Sequence, residues 1–303
     1  MNESRRTGWI HGVAAYALWG LVPVFWKRLT GVAPVEVLAH RAFWGLGAFA
    51  LLVGVAGQGG ALRAGLRQRR VVAAMALSSA LVALNWGLFV HAVDTDRVLD
   101  ASLGYFINPL LSVALGLVVL RERLRRLQWI AIALAASGVV LLTVDAGQLP
   151  WISLVLAGSF GLYGLVRKQA PVESLVGSAI ETLFLAPVAA AYLVVLAARG
   201  GGALGHAAGD VQALLVATGF VTAVPLVLFN SAARRLPLAT VGFLQYLAPT
   251  GQFLLAVLVY DEPFARGQLQ AFACIWAGLA VFTLDALRAR RAAQNVTASA
   301  NSG

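Results

Sequence analysis

Charge is scarce in this chain. Asp, Glu, Lys and Arg together make up 12% of its 303 residues, against 60% hydrophobic residues and a mean hydropathy of +0.80. Soluble domains carry about 25% charged residues, so an ordinary water-soluble protein is excluded. Cysteine is almost absent: Cys274 stands alone, which leaves no internal disulfide and no cysteine-based metal site. No glycine-rich turn precedes a lysine between a strand and a helix, so a nucleotide loop is not expected. Histidine clusters and Ser/His/Asp constellations are also missing; no metal, cofactor or catalytic residue is expected. Acidic residues are few, 13 against 23 basic ones, for a net charge of +10. Such a surplus could suggest nucleic acid, but the basic residues fall in short loops between apolar runs and form no groove, so nucleic-acid binding is not expected and the charge is read as membrane topology.

What the chain has in abundance is apolar runs long enough to cross a bilayer, which takes about 20 residues each. Ten spans are predicted, roughly at 9–26, 36–56, 71–93, 101–120, 127–145, 150–166, 173–197, 211–233, 238–260 and 267–286. The lipid bilayer is thus the expected environment, and the fold class is an all-α polytopic membrane protein. Residues 1–8 are expected as a cytoplasmic N-terminus, the first helix being retained rather than cleaved, and 287–303 as a polar cytoplasmic tail without structure from residue 292.

The chain also repeats itself. Ala101 to Ala146 aligns without a gap on Val241 to Ala286, pairing Pro109 with Pro249, Glu122 with Glu262, Gln128 with Gln268 and Gly138 with Gly278. A second match, Ala33-Pro34-Val35-Glu36 with Ala170-Pro171-Val172-Glu173, carries the duplication toward the start of each half. Two five-span repeats follow, 9–146 and 150–286. Five is odd, so the second copy enters the membrane from the opposite face, and loop charges agree: Arg121-Glu122-Arg123-Leu124-Arg125-Arg126 falls opposite Asp261-Glu262-Pro263-Phe264-Ala265-Arg266. With the N-terminus inside, seventeen of the 23 basic residues lie on the inner side and five outside, Arg41 being left within a span; both termini are predicted cytoplasmic. Inverted repeats of this kind suit a transporter whose halves expose a central site alternately.

Polar residues inside spans carry the functional reading, because a charge at the bilayer centre costs about 2.5–3.5 kcal/mol even on the mildest scale. Glu36 and His40 share a helical face, with Arg41 one step round. Two readings of Arg41 stand: an anion contact at the mouth of a cavity, with His40 able to titrate, or a side chain snorkelling to the outer interface and paired with Glu36. Glu181, eight residues past Glu173, is placed near mid-depth and is either a proton-coupling carboxylate or a static partner of Arg41 or a hydroxyl. Asn85, Asn230, Tyr105 with Asn108 before Pro109, and Gln245 with Tyr246 before Pro249 are candidate substrate contacts or helix ties. Each proline frees the carbonyl four residues before it, which makes Pro109 and Pro249 paired hinge candidates. Trp19 is placed near mid-depth, away from the interfacial belt that suits Trp9, Trp26, Trp129 and Trp151.

The competing class is a membrane enzyme. Asp96-Arg97-Val98-Leu99-Asp100 has a D-x-x-x-D spacing that could hold magnesium bridged to a diphosphate, as in membrane prenyltransferases, but a second such motif is missing; the plainer reading is a turn with Asp100 capping the next helix. A channel would want a continuous polar stripe, and a non-transporting accessory protein is the third class. Dimerisation is left open.

Several segments resemble the RarD-type permeases, in the EamA branch of the drug/metabolite transporter superfamily. They are Pro34 to Arg41, Ala101 to Leu110, Arg121 to Leu124 with Leu127 to Ala131, Ser159 to Leu165 with Arg167-Lys168, and Phe243 to Tyr246 with Ala248-Pro249. The resemblance covers residues 9–286 and implies a ten-helix inner-membrane carrier built of two inverted EamA repeats, moving a small-molecule substrate such as a metabolite or drug.

Overall fold

The architecture is that of a computed structural model describing residues 3–146, 151–261 and 266–300. Among them there are only helices: α1 Glu3–Trp26, α2 Pro34–Val55, α3 Gly59–Arg67, α4 Arg69–Asp94, α5 Val98–Val118, α6 Arg126–Ala146, α7 Trp151–Gln169, α8 Ser174–Ala198, α9 Gly209–Arg235, α10 Leu238–Gln245, α11 Leu247–Leu258 and α12 Arg266–Ala300, with a 3₁₀ turn at Lys27–Leu29. Several breaks fall at proline or glycine, as at Gly31 with Pro34, Gly57, Pro171 and Pro237, while those at 95–97 and 119–125 are made of charged and polar residues with Val119, Leu120 and Leu124. Pro34 opens α2 at its first turn, where a missing N–H costs nothing.

Nine stretches among the described residues are long and apolar enough to cross a membrane, α10 and α11 counting as one. The tenth crossing element, α7, has 19 residues and closes on Arg167-Lys168. Large apolar side chains cover the outside of the bundle, with Val118 78% and Leu258 72% exposed. Water does not tolerate such a surface; lipid does, and helices meet every backbone hydrogen bond within themselves.

Under the sequence shift, α1 corresponds to α7, α2 to α8, α4 to α9, α5 to α10–α11, and α6 to α12. Packing obeys the same exchange. α1 lies on α9 as α7 lies on α4, α1 on α11 as α7 on α5, and α2 on α9 as α8 on α4, while α2–α8, α5–α10 and α6–α12 map onto themselves. Even a rare backbone state recurs: Arg121 and its counterpart Asp261 take positive φ, 53° and 50°.

The self-paired α6–α12 contact depends on two matching glycines. A Cβ on Gly138 would stand 2.6 Å from the Ala271 carbonyl oxygen, and one on Gly278 2.8 Å from that of Ala131. Neither backbone can give way without separating the helices. Gly138→Val is therefore expected to cost about 1–3 kcal/mol by overpacking and to lower the thermal midpoint in detergent. Gly47→Val, where a Cβ meets open space, is the control expected to leave that midpoint unchanged.

Four expectations are corrected. α3, read as loop, is a short amphipathic helix, since nine residues suffice for two turns beside the bundle. The tail expected to lack structure continues α12 to Ala300; Ala292, Ala293, Ala298 and Ala300 favour that continuation. Pro109 and Pro249 do not act alike: α5 runs unbroken past Pro109, whereas α10 ends at Gln245 and α11 resumes at Leu247, three residues into which Pro249 denies the Gln245 carbonyl its N–H. Asp100 does not cap α5; Arg97 precedes the helix without a side-chain cap, and Asp100 pairs with the Arg97 guanidinium at 2.7 Å. Glu262 to Ala265 fall outside the described residues.

Candidate substrate cavity between the halves

Arg41 leaves α2 toward the middle of the bundle. Its Nε donates to Thr222 Oγ1 of α9 at 3.1 Å, and the guanidinium carbon lies 4.5 Å from the Trp86 ring centroid and 5.1 Å from that of Trp26. These contacts are cation–π in kind. No carboxylate among the described residues stands within ion-pair distance of Arg41. The pairing of Arg41 with Glu36 is thereby overturned. Glu36 is engaged elsewhere: its Oε1 accepts from the backbone N–H of Ala203 at 2.5 Å and lies 3.7 Å from His40 Nε2. His40 Nδ1 faces Trp44 Nε1 at 3.2 Å. An indole can only donate, so Nδ1 accepts and the imidazole carries its proton on Nε2, toward Glu36.

Beside Arg41 lies a small cavity of about 10 Å³, lined by Gly45, Trp86, Glu181, Thr182 and Thr222 among others. That is room for about one water. α2 and α9 are pressed together behind it, for a Cβ on Gly219 would come within 2.5 Å of the Trp44 carbonyl.

Glu181 faces this cavity from α8. Its Oε2 accepts from Ser78 Oγ of α4 at 2.7 Å, and its ion-pair partner is Arg167 Nη1, at 3.7 Å, with both side chains 1% exposed. Arg41 is not that partner. Arg167, counted from the sequence among the inner loop cations, lies wholly inside the protein. Its Nη2 donates to the Ser174 carbonyl at 2.9 Å and to Ser178 Oγ at 3.3 Å, Nη1 reaches Met75 Sδ at 2.6 Å, and Nε has no partner. Gly177 makes this possible: a Cβ there would stand 2.5 Å from Nη1.

The other sequence candidates lie off the cavity wall. Asn85 donates to the Leu156 carbonyl at 2.9 Å and Ser159 Oγ at 3.1 Å, tying α4 to α7. Asn230 donates to Tyr163 Oη at 3.0 Å and Ser178 Oγ at 2.9 Å, tying α9 to α7 and α8. Gln245 Nε2 donates to Ser112 Oγ at 3.0 Å, and Tyr246 Oη to the Phe106 carbonyl at 3.4 Å, joining α10 to α5. Asn108 is buried with Oδ1 unpartnered, as are Asn230 Oδ1 and Gln245 Oε1. Tyr105 is 43% exposed, its ring tilted by 58° against that of Phe89 at a centroid distance of 6.0 Å. Trp19 joins an aromatic cluster with Tyr16, Phe160 and Phe229 at centroid distances of 5.4–6.1 Å. Arg41 and Glu181 are thus the two candidates that share one cavity. Trp86, Thr182 and Thr222 line it with them, and Ser78 supports Glu181 from behind; a Thr or Ser in an apolar run gives no signal of its own.

Beyond the cavity the halves are latched at both ends. At the end bearing the basic loops, both Glu122 carboxylate oxygens accept from the first backbone N–H groups of α10, Leu238 at 2.6 Å and Ala239 at 3.0 Å, where a helix N-terminus favours negative charge. Arg125 pairs with Asp285 at 2.5 Å, and within the second half Lys168 donates to the carbonyls of Ala233 and Leu236 that close α9. At the other end Lys27 Nζ sits 3.1 Å over the Tyr260 ring, and Gln252 Nε2 donates to the Trp19 carbonyl at 3.2 Å. A group of three or more metal-ligating side chains does not occur among the described residues.

A two-fold exchange of helical halves, a lipid-compatible outside and a charged cavity at the centre define a polytopic membrane transporter. Residues 6–144 match the model of the EamA-like transporter family, and related chains extend the match to full length. Protein RarD of Streptomyces exfoliatus is 45% identical over 301 residues, covering 99% of this chain and 95% of its own. Protein RarD of Escherichia coli K12 is 42% identical over 289 residues, 95% and 98% of the two chains. A protein of Pseudomonas aeruginosa named chloramphenicol-sensitive protein RarD is 33% identical over 94% of this chain and 96% of its own. A crystal structure at 21% identity superposes with a TM-score of 0.73 over 92% of this chain and 98% of the other, which supports the fold. The chain belongs to the EamA-like transporter family, in its RarD-type branch.

Proposed function

We propose that the protein is a secondary carrier that moves a small organic solute with an anionic group across the cytoplasmic membrane by alternating exposure of the central cavity. One observation supports this most strongly: Arg41 is held between two tryptophans in a cavity between the halves, with no carboxylate partner among the described residues. A guanidinium so placed is expensive in a bilayer unless an anion visits it, and the flanking rings suit a solute with a flat apolar part. Glu181, on the same cavity wall, is the group assigned to proton coupling. The end latched by Glu122 and Arg125 is assigned to the cytoplasm, with both termini, because the basic loops gather there.

The test is solute exchange by protein reconstituted in vesicles loaded with pooled metabolites, amino acids and drugs, chloramphenicol included, and read by mass spectrometry. Wild type is expected to deplete an anionic compound that protein-free vesicles retain, and Glu181→Ala to lose any dependence of that exchange on a pH gradient. Exchange of nothing in the panel by folded protein would sink the reading.

A further inference from the structure

α3 is the one helix among the described residues that is too short to cross the bilayer and continues no span. Its sequence, Gly-Gly-Ala-Leu-Arg-Ala-Gly-Leu-Arg, sets Leu62 and Leu66 four apart on one stripe and Arg63 and Arg67 four apart on the next. Leu62 packs against the cluster of Val71, Met75, Val176 and Ile180. Gly65 seats the helix on α8, where a Cβ would stand 3.0 Å from Ile180 Cδ1 and 3.6 Å from Val176 Cγ1. The start is tied by Gln58 Nε2 donating to Glu173 Oε2 at 3.2 Å. Held in this way, α3 turns its remaining surface outward: Leu66 is 43% exposed, and Arg63, Arg67, Arg69 and Arg70 are exposed as well. None of the four pairs with a carboxylate among the described residues. In the second half the corresponding connection, residues 199–208, forms no helix and carries Arg199 as its only Arg or Lys. The cluster is therefore not inherited from the repeat.

We propose that this surface is a seat for anionic phospholipid headgroups of the adjoining leaflet, the four guanidiniums taking the phosphates and Leu66 the glycerol and upper acyl region. An amphipathic helix with basic residues on its polar side lies in the interface plane, and arginine forks fit phosphate oxygens. A zwitterionic headgroup brings its own cation against the cluster and is disfavoured. The proposal stands apart from the cargo and from the transport cycle.

The experiment is native mass spectrometry of the full-length protein in detergent, titrated separately with dioleoylphosphatidylglycerol, dioleoylphosphatidylcholine and inorganic phosphate. Wild type is expected to retain the phosphatidylglycerol over the phosphatidylcholine, and retention to fall by about fivefold for each arginine replaced, the fold-change that about 1 kcal/mol per basic residue corresponds to. The variant Arg63→Gln/Arg67→Gln/Arg69→Gln/Arg70→Gln should bind the two lipids alike, while Arg121→Gln/Arg123→Gln, basic residues at the same end, keeps the preference. Equal retention of both lipids by wild type, an unchanged preference in the fourfold variant, an equal loss in the loop control, or full displacement by inorganic phosphate would each overturn the proposal. Wild type supplies a check that does not depend on how the variant folds. Raising salt from about 0.1 M to about 1 M shortens the Debye length from about 10 Å to about 3 Å and should release the phosphatidylglycerol; retention indifferent to salt also overturns the proposal.

Discussion

Arg41→Gln is expected to lower the initial rate of anion exchange in reconstituted vesicles by about 10- to 100-fold, in line with the 1.5–3 kcal/mol carried by a hydrogen bond to a charged group. Glutamine keeps a polar group near Thr222 Oγ1, which Arg41 contacts at 3.1 Å, so the loss reports the charge more than the packing. Arg41→Lys should recover only part of it. An ammonium keeps the charge but is a compact, strongly hydrated point, whereas the more weakly hydrated guanidinium suits a place between the Trp86 and Trp26 rings. The measurement is counterflow at solute concentrations below saturation, with protein content and orientation matched. Wild-type rates in Arg41→Gln would remove Arg41 from the transport path.

The second large effect concerns stability. Arg167→Met is expected to cost about 3–5 kcal/mol, the usual result of removing one member of a buried ion pair and leaving the other charge stranded. Glu181 is 1% exposed and 3.7 Å from the guanidinium; without Arg167 its nearest support is the Ser78 hydroxyl at 2.7 Å. Adding Glu181→Gln to Arg167→Met should restore part of the loss, because a neutral amide at that position leaves no stranded charge. Thermal unfolding in detergent, followed for the wild type, both single variants and the double variant, gives the coupling directly. Additive effects would mean that Arg167 is held by Ser174, Ser178 and Met75 alone and that Glu181 is indifferent to it.

Both effects turn on residues whose sequence signals differ. The duplication, with Pro109 on Pro249 and Gly138 on Gly278, was legible because identical residues at a constant spacing do not arise from apolar composition. The reciprocal contacts of Gly138 and Gly278 explain why those two were kept together. Arg41 was legible as a charge within a span, but not its direction, which is set by Trp86 of α4 and Thr222 of α9, residues far away in the chain. Arg167 was hidden by its neighbour: next to Lys168 at the end of a 19-residue helix, charge counting assigns both to a loop, and only the space left by Gly177 lets one of them fold inward. The amides illustrate another limit. Asn85 and Asn230 were marked by polarity alone, and polarity cannot distinguish a group awaiting a ligand from one already donating to Ser159 or Ser178. α3 escaped because a helix shorter than a span has no hydropathy signature.

The α6–α12 contact has a bearing on how such a chain could have arisen. Gly138 meets the backbone at Ala271 and Gly278 meets it at Ala131, so each side of the contact is the other side turned over. That is the reciprocity of an isologous interface, in which one patch serves both partners. Two separate copies of a single five-helix chain, inserted in opposite senses, would meet through this same patch, and a change in one gene would strike both sides at once. Fusion lifts that constraint. Gene duplication joined end to end lets each copy diverge alone, so that one half can place Arg41 on the cavity wall while the other places Glu181 there, a polarity that two identical subunits could not encode.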